Sequence, residues 1–252
     1  MPTKRGGLMS VKSRVFLAVL VGALALGAGC SAPPPVQPHL DPDEAQNRQV
    51  HAFNRGLDQA LLRPASGTYG GVLPAPVRQG VSNFAGNLDV PGDALNSLLQ
   101  GRPGPAAENV LRFAINSTVG IGGLFDPARA LGIEGRRTDF GETLHVWGVP
   151  EGAYQELPFF GPSTDRDTAG ALVDLAINPV RLVLPRREGN LATATKLAST
   201  LGDRYQFGET FDSILYESAD SYAQARLLYL QNRRFALGQT GGEDDFIDPY
   251  AE

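Results

Sequence analysis

The chain has 252 residues, 42% hydrophobic, with twelve Phe, seven Tyr, a formal net charge of −5 and a single Cys. That composition excludes a wholly disordered chain and an intramolecular disulfide framework, and three His leave too few soft ligands for most zinc sites. Thirty Gly and nineteen Pro exceed ordinary usage yet stay below the ~25–30% of low-complexity sequence, so many short, punctuated elements are expected.

Lys4, Arg5, Lys12 and Arg14 precede an unbroken run of apolar and small residues, Val15–Gly29. A basic region followed by ~7–15 apolar residues is the pattern of a secretory leader, and the run falls short of the ~20 that span a bilayer. Met9 is an alternative start to Met1 that keeps the leader basic. Leu26-Gly27-Ala28-Gly29-Cys30 resembles the bacterial lipobox, with Gly27 where that pattern places Leu; the alternative is a cleaved leader with an incidental Cys. On the lipoprotein reading Cys30 is the acylated mature N-terminus. Two or more acyl chains anchor stably, at ~0.8 kcal/mol per buried CH₂. Ser31 in place of Asp resembles the export signal for a Gram-negative outer membrane, and Ser31–Pro38 reads as an extended spacer. Removing residues 1–29 leaves a net charge of −9, which argues against nucleic acid and against docking on anionic lipid through a basic patch.

Asp41-Pro42-Asp43-Glu44 reads as a helix start, with Asp41 as cap and Glu44 as its reciprocal carboxylate. Val50, Phe53, Leu57 and Leu61 follow at helical spacing, Pro64 ends the helix, and Gly67–Leu73 is a break. Val77, Val81, Phe84 and Leu88 share one face, with Arg78, Asn83 and Asn87 off it. Pro91 opens a short helix closed at Gly101. Pro105 opens another, with Val110 and Phe113 on one side, stopped at Gly120-Ile121-Gly122-Gly123. Residues 132–164, rich in Gly, Pro and aromatics, are too irregular for a helix and predict a hairpin or packed loop. Ser163 or Thr164 caps the next helix, which Pro179 kinks or ends. A helix over about Leu191–Leu201 and a longest one over about Thr210–Phe235 complete the domain. The reading is one all-α domain, residues 41–237, of short amphipathic helices with one Gly/aromatic-rich insertion, followed by an acidic tail, 238–252.

Catalytic patterns are absent: there is no G-x-S-x-G, S-x-x-K or H-E-x-x-H. Gly120–Gly123 lacks the Lys of a phosphate loop and reads as a tight turn. A Ser163/His145/Asp167 set can be drawn, as in most chains of this length. Asp165, Arg166 and Asp167 read as a charge cluster at a helix start. The wide apolar stripes admit two accounts, a globular core or faces that meet lipid in one leaflet, since no segment after residue 30 is long enough to span. Composition does not separate them.

Ordered motifs go further. Asp41-Pro42-x-Glu44-x-x-Asn47-Arg48 with Phe53-Asn54, then Val77-Arg78-x-Gly80-Val81-Ser82-Asn83-Phe84 with Asn87, and Asn96-x-Leu98-Leu99-Gln100-Gly101, resemble the MlaA family, also called VacJ. The match continues through Arg112-Phe113, Asn116-Ser117-Thr118, Gly120-Ile121-Gly122-Gly123, Asp139-Phe140-Gly141, Trp147-Gly148-Val149-Pro150, and Gly161-Pro162-Ser163-Thr164-x-Arg166-Asp167. The resemblance implies an outer-membrane lipoprotein, held by its lipid anchor on the periplasmic side. Its fold would be a helical ring in the inner leaflet around a central channel. It implies removal of mislocalised glycerophospholipid from the outer leaflet, delivery to a soluble periplasmic carrier, association with a trimeric porin, and no cofactor, metal or enzymatic step. Phe53 and Asn54 correspond to the helix whose placement controls opening. Phe140, Gly141, Trp147 and Gly148 correspond to the channel-side hairpin. A lipid-active hydrolase and a structural porin-associated lipoprotein are the alternative functions.

Overall fold

Prolines at first helical turns and short polar caps set most of the boundaries in the computed structural model, which describes residues 41–183 and 185–239. The leader, Cys30, the spacer and the tail from residue 240 lie outside the described residues. The elements are α1 (Glu44–Leu57), a π-helical turn (Asp58–Leu62), α2 (Arg63–Val72), α3 (Ala75–Asn87), α4 (Val90–Leu99), α5 (Pro103–Thr118), α6 (Pro127–Ala130) and α7 (Phe140–Val146). There follow an antiparallel hairpin of β1 (Tyr154–Leu157) and β2 (Gly161–Thr164), α8 (Asp165–Ile177), α9 (Pro179–Val183), α10 (Arg186–Gln206), α11 (Gly208–Asp212), a second π turn (Ser213–Glu217) and α12 (Ser221–Ala236). The all-α reading holds. Thr164 caps α8 by accepting from the Asp167 N–H, and Pro179 opens α9 after α8 has ended.

Several boundaries differ from expectation, each for a local reason. Asp41 does not cap α1; its carboxylate takes the Asn47 amide at 2.9 Å and bonds Tyr222 and Arg226 of α12. Pro64 does not end the first helix. Arg63 donates to the Asp58 carbonyl five residues back, and this widened turn lets Pro64 sit at the start of α2, where a missing N–H is harmless. Nor does Gly67–Leu73 break: Gly70 lies flat against the Tyr205 ring of α10, leaving no room for a Cβ, and packing outweighs propensity. Part of the irregular insertion is helical after all. Asp139 caps α7 by accepting from the Glu142 N–H at 2.7 Å, and seven residues are too few for a period to show. The expected longest helix is split, because the chain turns extended at Ser218 and Asp220 caps α12 afresh through the Ala223 N–H. Among the described residues α10, with 21 residues, is the longest helix.

The more consequential difference is the direction in which the helices face. On α1 the residues turned inward are Asn47 and His51, followed by Asp58 of the π turn, while Phe53 is 50% exposed. On α4, Asn96 and Ser97 are buried and Leu98 is 58% exposed; on α5, Asn109 and Asn116 are buried and Val110 is 58% exposed. Half of the buried apolar residues described are alanines, with one small cluster of Tyr154, Tyr222 and Leu230 edged by Tyr229. A water-soluble core is built from Leu, Ile, Val and Phe; here those residues ring the outside. Such extensive exposed apolar surface marks a face that meets lipid or protein.

Contacts between elements close a circuit. The π turn links α1 to α2, and α10 packs on both α2 and α3. Then α4 packs on α5 and α7, α7 on α8, α8 on β2, and β1 on α1. Gly170 of α8 sits on the backbone of α7, where an added Cβ would fall 2.3 Å from the Gly141 nitrogen. That helix pair can cross this closely only without side chains.

Candidate functional site

Three adjoining cavities, of about 400, 740 and 680 Å³, lie inside this circuit. Ser82 of α3 lines all three. The first is walled by α3, α5 and the segment after α6, the second by α3, α10 and α11, and the third by α3, α4, α7 and α10. Their walls are mostly Asn, Gln, Ser, Asp, Glu and Arg, with Val90 in the first cavity and Tyr205 and Phe207 in the second among the few large apolar or aromatic members. Together the three cavities make a mostly polar interior, a bore, within an apolar shell.

The wall is rigid because its polar side chains bond one another. On α5, Asn109 exchanges two hydrogen bonds of 2.9 Å with the backbone of Arg136, and Arg112 holds the Ile133 carbonyl at 2.7 Å and the Asp126 carboxylate at 2.5 Å. Asn116 bonds Asp126 at 2.9 Å and accepts from the Ala128 N–H. Glu142 receives Arg102, Arg136 and Thr138; burial pushes its carboxyl up, but these donors outweigh burial and hold it below the usual range. Arg233 of α12 clamps Asp139 at 2.7 Å and Asp167 at 2.8 Å, and so joins α12, α7 and α8. Unsatisfied, such groups would be costly in a half-buried site; bonded as they are, they fix the bore's shape.

Asp93 is different. It accepts the Thr138 N–H at 3.1 Å, and burial pushes its carboxyl up to about 7. No cation bonds it among the described residues.

Each residue singled out in the sequence that falls among the described residues has a definite place, though none of the six channel or gating residues lines the three cavities. Asn54 donates to the Leu157 carbonyl at 2.9 Å and accepts from the Phe159 N–H at 2.8 Å, while Phe53 meets the Phe159 ring edge-on. The two therefore grip the turn of the β1–β2 hairpin, whose Phe160 is 86% exposed and whose Gly161 has φ 81°. Asn47 and His51 extend the grip: the Asn47 amide completes the edge of β1 at Tyr154 and Glu156, and His51 lies 3.3 Å from the Glu156 carboxylate. Phe140 stacks edge-on with Trp147, whose indole N–H donates to the Leu99 carbonyl at 3.0 Å. Gly148, at φ 86°, follows α7. Phe140 and Gly141 belong to α7, so the hairpin expected there lies some fifteen residues further on.

Asn87 lines the first cavity and reaches Ser117 at 3.1 Å, and Gly123 packs on its side chain. Asn116 lines the same cavity, Phe84 and Phe113 are half-buried, and Gly120 and Gly122 shape the turn that ends α5. Arg166 is buried with its Nε 3.5 Å from the Asp167 carboxylate, and two of its nitrogens lack a hydrogen-bond partner. Ser163 Oγ bonds Thr168 at 2.9 Å, while Asp167 is taken up by Arg233 and Tyr229, so the described residues do not assemble a Ser163–His145–Asp167 triad. Asp93, Arg129, Arg137 and Asp203, which do line the bore, were not singled out from the sequence, and Ser82 was named only within a family motif.

The fold and the bore define a class: a ring of helices with polar walls inside and apolar side chains outside. The family model described as MlaA lipoprotein matches residues 39–236, and the chain belongs to that family. It is 36% identical to the intermembrane phospholipid transport system lipoprotein MlaA of Shigella flexneri, and 35% to that of Escherichia coli K12. In both cases the match covers 88% of this chain and 90% of the relative. A solved structure described as the structural basis for maintenance of bacterial outer membrane lipid asymmetry aligns with a TM-score of 0.68 at 30% identity, over 78% of this chain and 98% of that one.

Proposed function

We propose that this protein is an outer-membrane lipoprotein, anchored through Cys30, that takes mislocalised glycerophospholipid out of the outer leaflet through its bore. It passes the lipid to a soluble periplasmic carrier for return to the inner membrane. The observation that carries this reading is the inverted polarity: buried Asn96, Asn109 and Asn116 back onto exposed Leu98, Val110 and Leu111 on the same helices. In a leaflet, helices satisfy their own backbone, the outward Leu and Val remain in hydrocarbon, and a headgroup crosses along polar walls. No helix among the described residues is long and apolar enough to cross a membrane, which suits a ring lying in one leaflet beside a trimeric porin. The names of the relatives as intermembrane phospholipid transport lipoproteins support the same reading.

Transfer by this route breaks no bond; the chain supplies a path, and a tighter-binding carrier supplies direction. The test is outer-leaflet phospholipid in cells lacking the protein, measured by surface labelling of lipid amines. A rise restored by the wild type but not by Cys30→Ala is expected. Unchanged labelling in deletion cells would contradict the proposal.

A further inference from the structure

Four residues line both the first and the third cavities: Ser82, Gly86, Asp93 and Arg137. Only two of them are charged, one of each sign, so an Asp and an Arg stand on the wall common to both cavities. Arg112, Arg136 and Arg233 on the same walls are each tied to a carboxylate. Arg137 has no hydrogen bond or ion pair among the described residues, and Asp93 has only the Thr138 N–H. The two are close enough for Arg137 to act electrostatically on Asp93 without bonding it.

We infer that Asp93 and Arg137 together read the lipid headgroup, favouring a phosphodiester that carries a primary ammonium over an anionic one. The inference rests on the proposal that the bore conducts phospholipid. A free guanidinium offers paired donors to phosphate oxygens, and the carboxylate beside it offers the countercharge an ammonium needs. A zwitterionic headgroup satisfies both at once. An anionic headgroup ending in hydroxyls satisfies Arg137 alone and brings Asp93 no cation. Burial without a cation partner makes ionisation of Asp93 unfavourable, so an arriving ammonium gains more here than at a fully solvated carboxylate. The path beyond has the same character. Asp174 bonds only the Asn96 amide and the Phe140 N–H, and Asp203, which lines the second and third cavities, bonds no cation among the described residues.

The test uses the purified full-length lipoprotein in detergent micelles doped with equal amounts of phosphatidylethanolamine and phosphatidylglycerol of identical acyl chains, read by native mass spectrometry. Wild type is expected to retain the ethanolamine lipid about fivefold over the glycerol lipid, between the strength of an exposed ion pair and that of a buried charged hydrogen bond. Asp93→Asn keeps an acceptor for the Thr138 N–H; it should bring the ratio to parity by lowering retention of the ethanolamine lipid to that of the glycerol lipid, and an unchanged far-UV circular dichroism spectrum reports that the variant is folded. Arg137→Gln should weaken retention of both lipids. Equal retention by the wild type, or an unchanged ratio in Asp93→Asn, would overturn the headgroup inference and leave the channel reading standing. A wild type that retains neither lipid would overturn the channel reading itself. Glycerophosphoethanolamine in the same micelles assigns the source: competition at the lipid's own concentration would overturn the lipid assignment in favour of a water-soluble zwitterion.

Discussion

Replacing Arg233 should show how strongly the polar interior holds the ring together. Its guanidinium makes four bonds of 2.7–3.0 Å to Asp139 and Asp167, and so ties α12 to the cap of α7 and the first turn of α8. Arg233 and Asp167 are largely buried, with side chains 16% and 10% exposed, whereas Asp139 is 45% exposed and well screened. The Asp139 half is therefore worth at most about 1 kcal/mol. The Asp167 half dominates, because removing the arginine leaves a buried carboxylate whose desolvation is no longer offset; losses of this kind run to about 3 kcal/mol or more. Arg233→Met should thus lower unfolding free energy by about 3–4 kcal/mol, measured by denaturant titration in mild detergent. Asp167→Asn in the Arg233→Met background should recover part of that loss. The pH dependence has a definite sign. Burial raises the Asp167 carboxyl, but the bonds and charge of Arg233 outweigh it and hold it below the usual range. The pair's contribution is then present above the unfolded carboxylate range and is lost as pH falls through the folded value, so mutant and wild type should converge in acid. A loss below 1 kcal/mol at pH 7, or a difference that does not shrink in acid, would refute the reasoning.

Other perturbations act on separate features. Gly170→Ala places a Cβ 2.3 Å from the Gly141 nitrogen, so α7 and α8 must part; a loss of about 3 kcal/mol, or failure to accumulate, is expected in expression and melting assays. Leu98→Glu puts a charge on the outer face beside buried Asn96 and Ser97; stability in detergent should barely change, while partition into liposomes falls by about tenfold or more. Trp147, the single tryptophan of the chain, reports that partition directly through quenching by brominated lipid. Asp93 has the opposite linkage to Asp167. Burial raises its pKa to about 7, with Asp89 and Asp139 adding to the rise and Arg137 and the Thr138 N–H opposing it. The folded state therefore holds a proton that the unfolded state has released between about pH 4 and 7, and stability from this group declines with pH across that window. Asp93→Asn should stabilise the protein more at pH 8 than at pH 5; an equal effect at the two pH values would show that Asp93 is ionised throughout.

How much of this was legible depended on what kind of signal each residue carries. Caps and stops read correctly where the residue acts on its own backbone: Thr164 at the start of α8, Gly101 after α4, the Gly120–Gly123 turn after α5, and Pro179. Pro64 misled because its helical tolerance depends on the π turn before it, which has no composition of its own. Ser218 and Asp220 were overlooked inside an apolar stripe that runs across them.

The orientation of the faces was the larger gap. A period of 3.6 shows that a helix has two faces, not which one turns inward, and the rule that apolar residues turn in presumes water outside. One available signal was the second stripe: Asn47, His51 and Asn54 on α1 with Asp58 of the π turn, and Asn109, Arg112 and Asn116 on α5, recur at helical spacing opposite the Leu and Val. Short amides in a stripe can bond neighbouring backbones, as Asn47, Asn54 and Asn109 do. Asp93 and Arg137 had no such signal, since being unpaired is a property only the folded chain has.

A photoreactive amino acid in place of Ser82, the residue that lines all three cavities, tests the central claim most directly. Irradiation in intact cells, followed by mass analysis of the purified protein, should give an adduct with the mass of an intact glycerophospholipid. Adducts from an outward position such as Leu98, with none from Ser82, would contradict a bore that carries lipid.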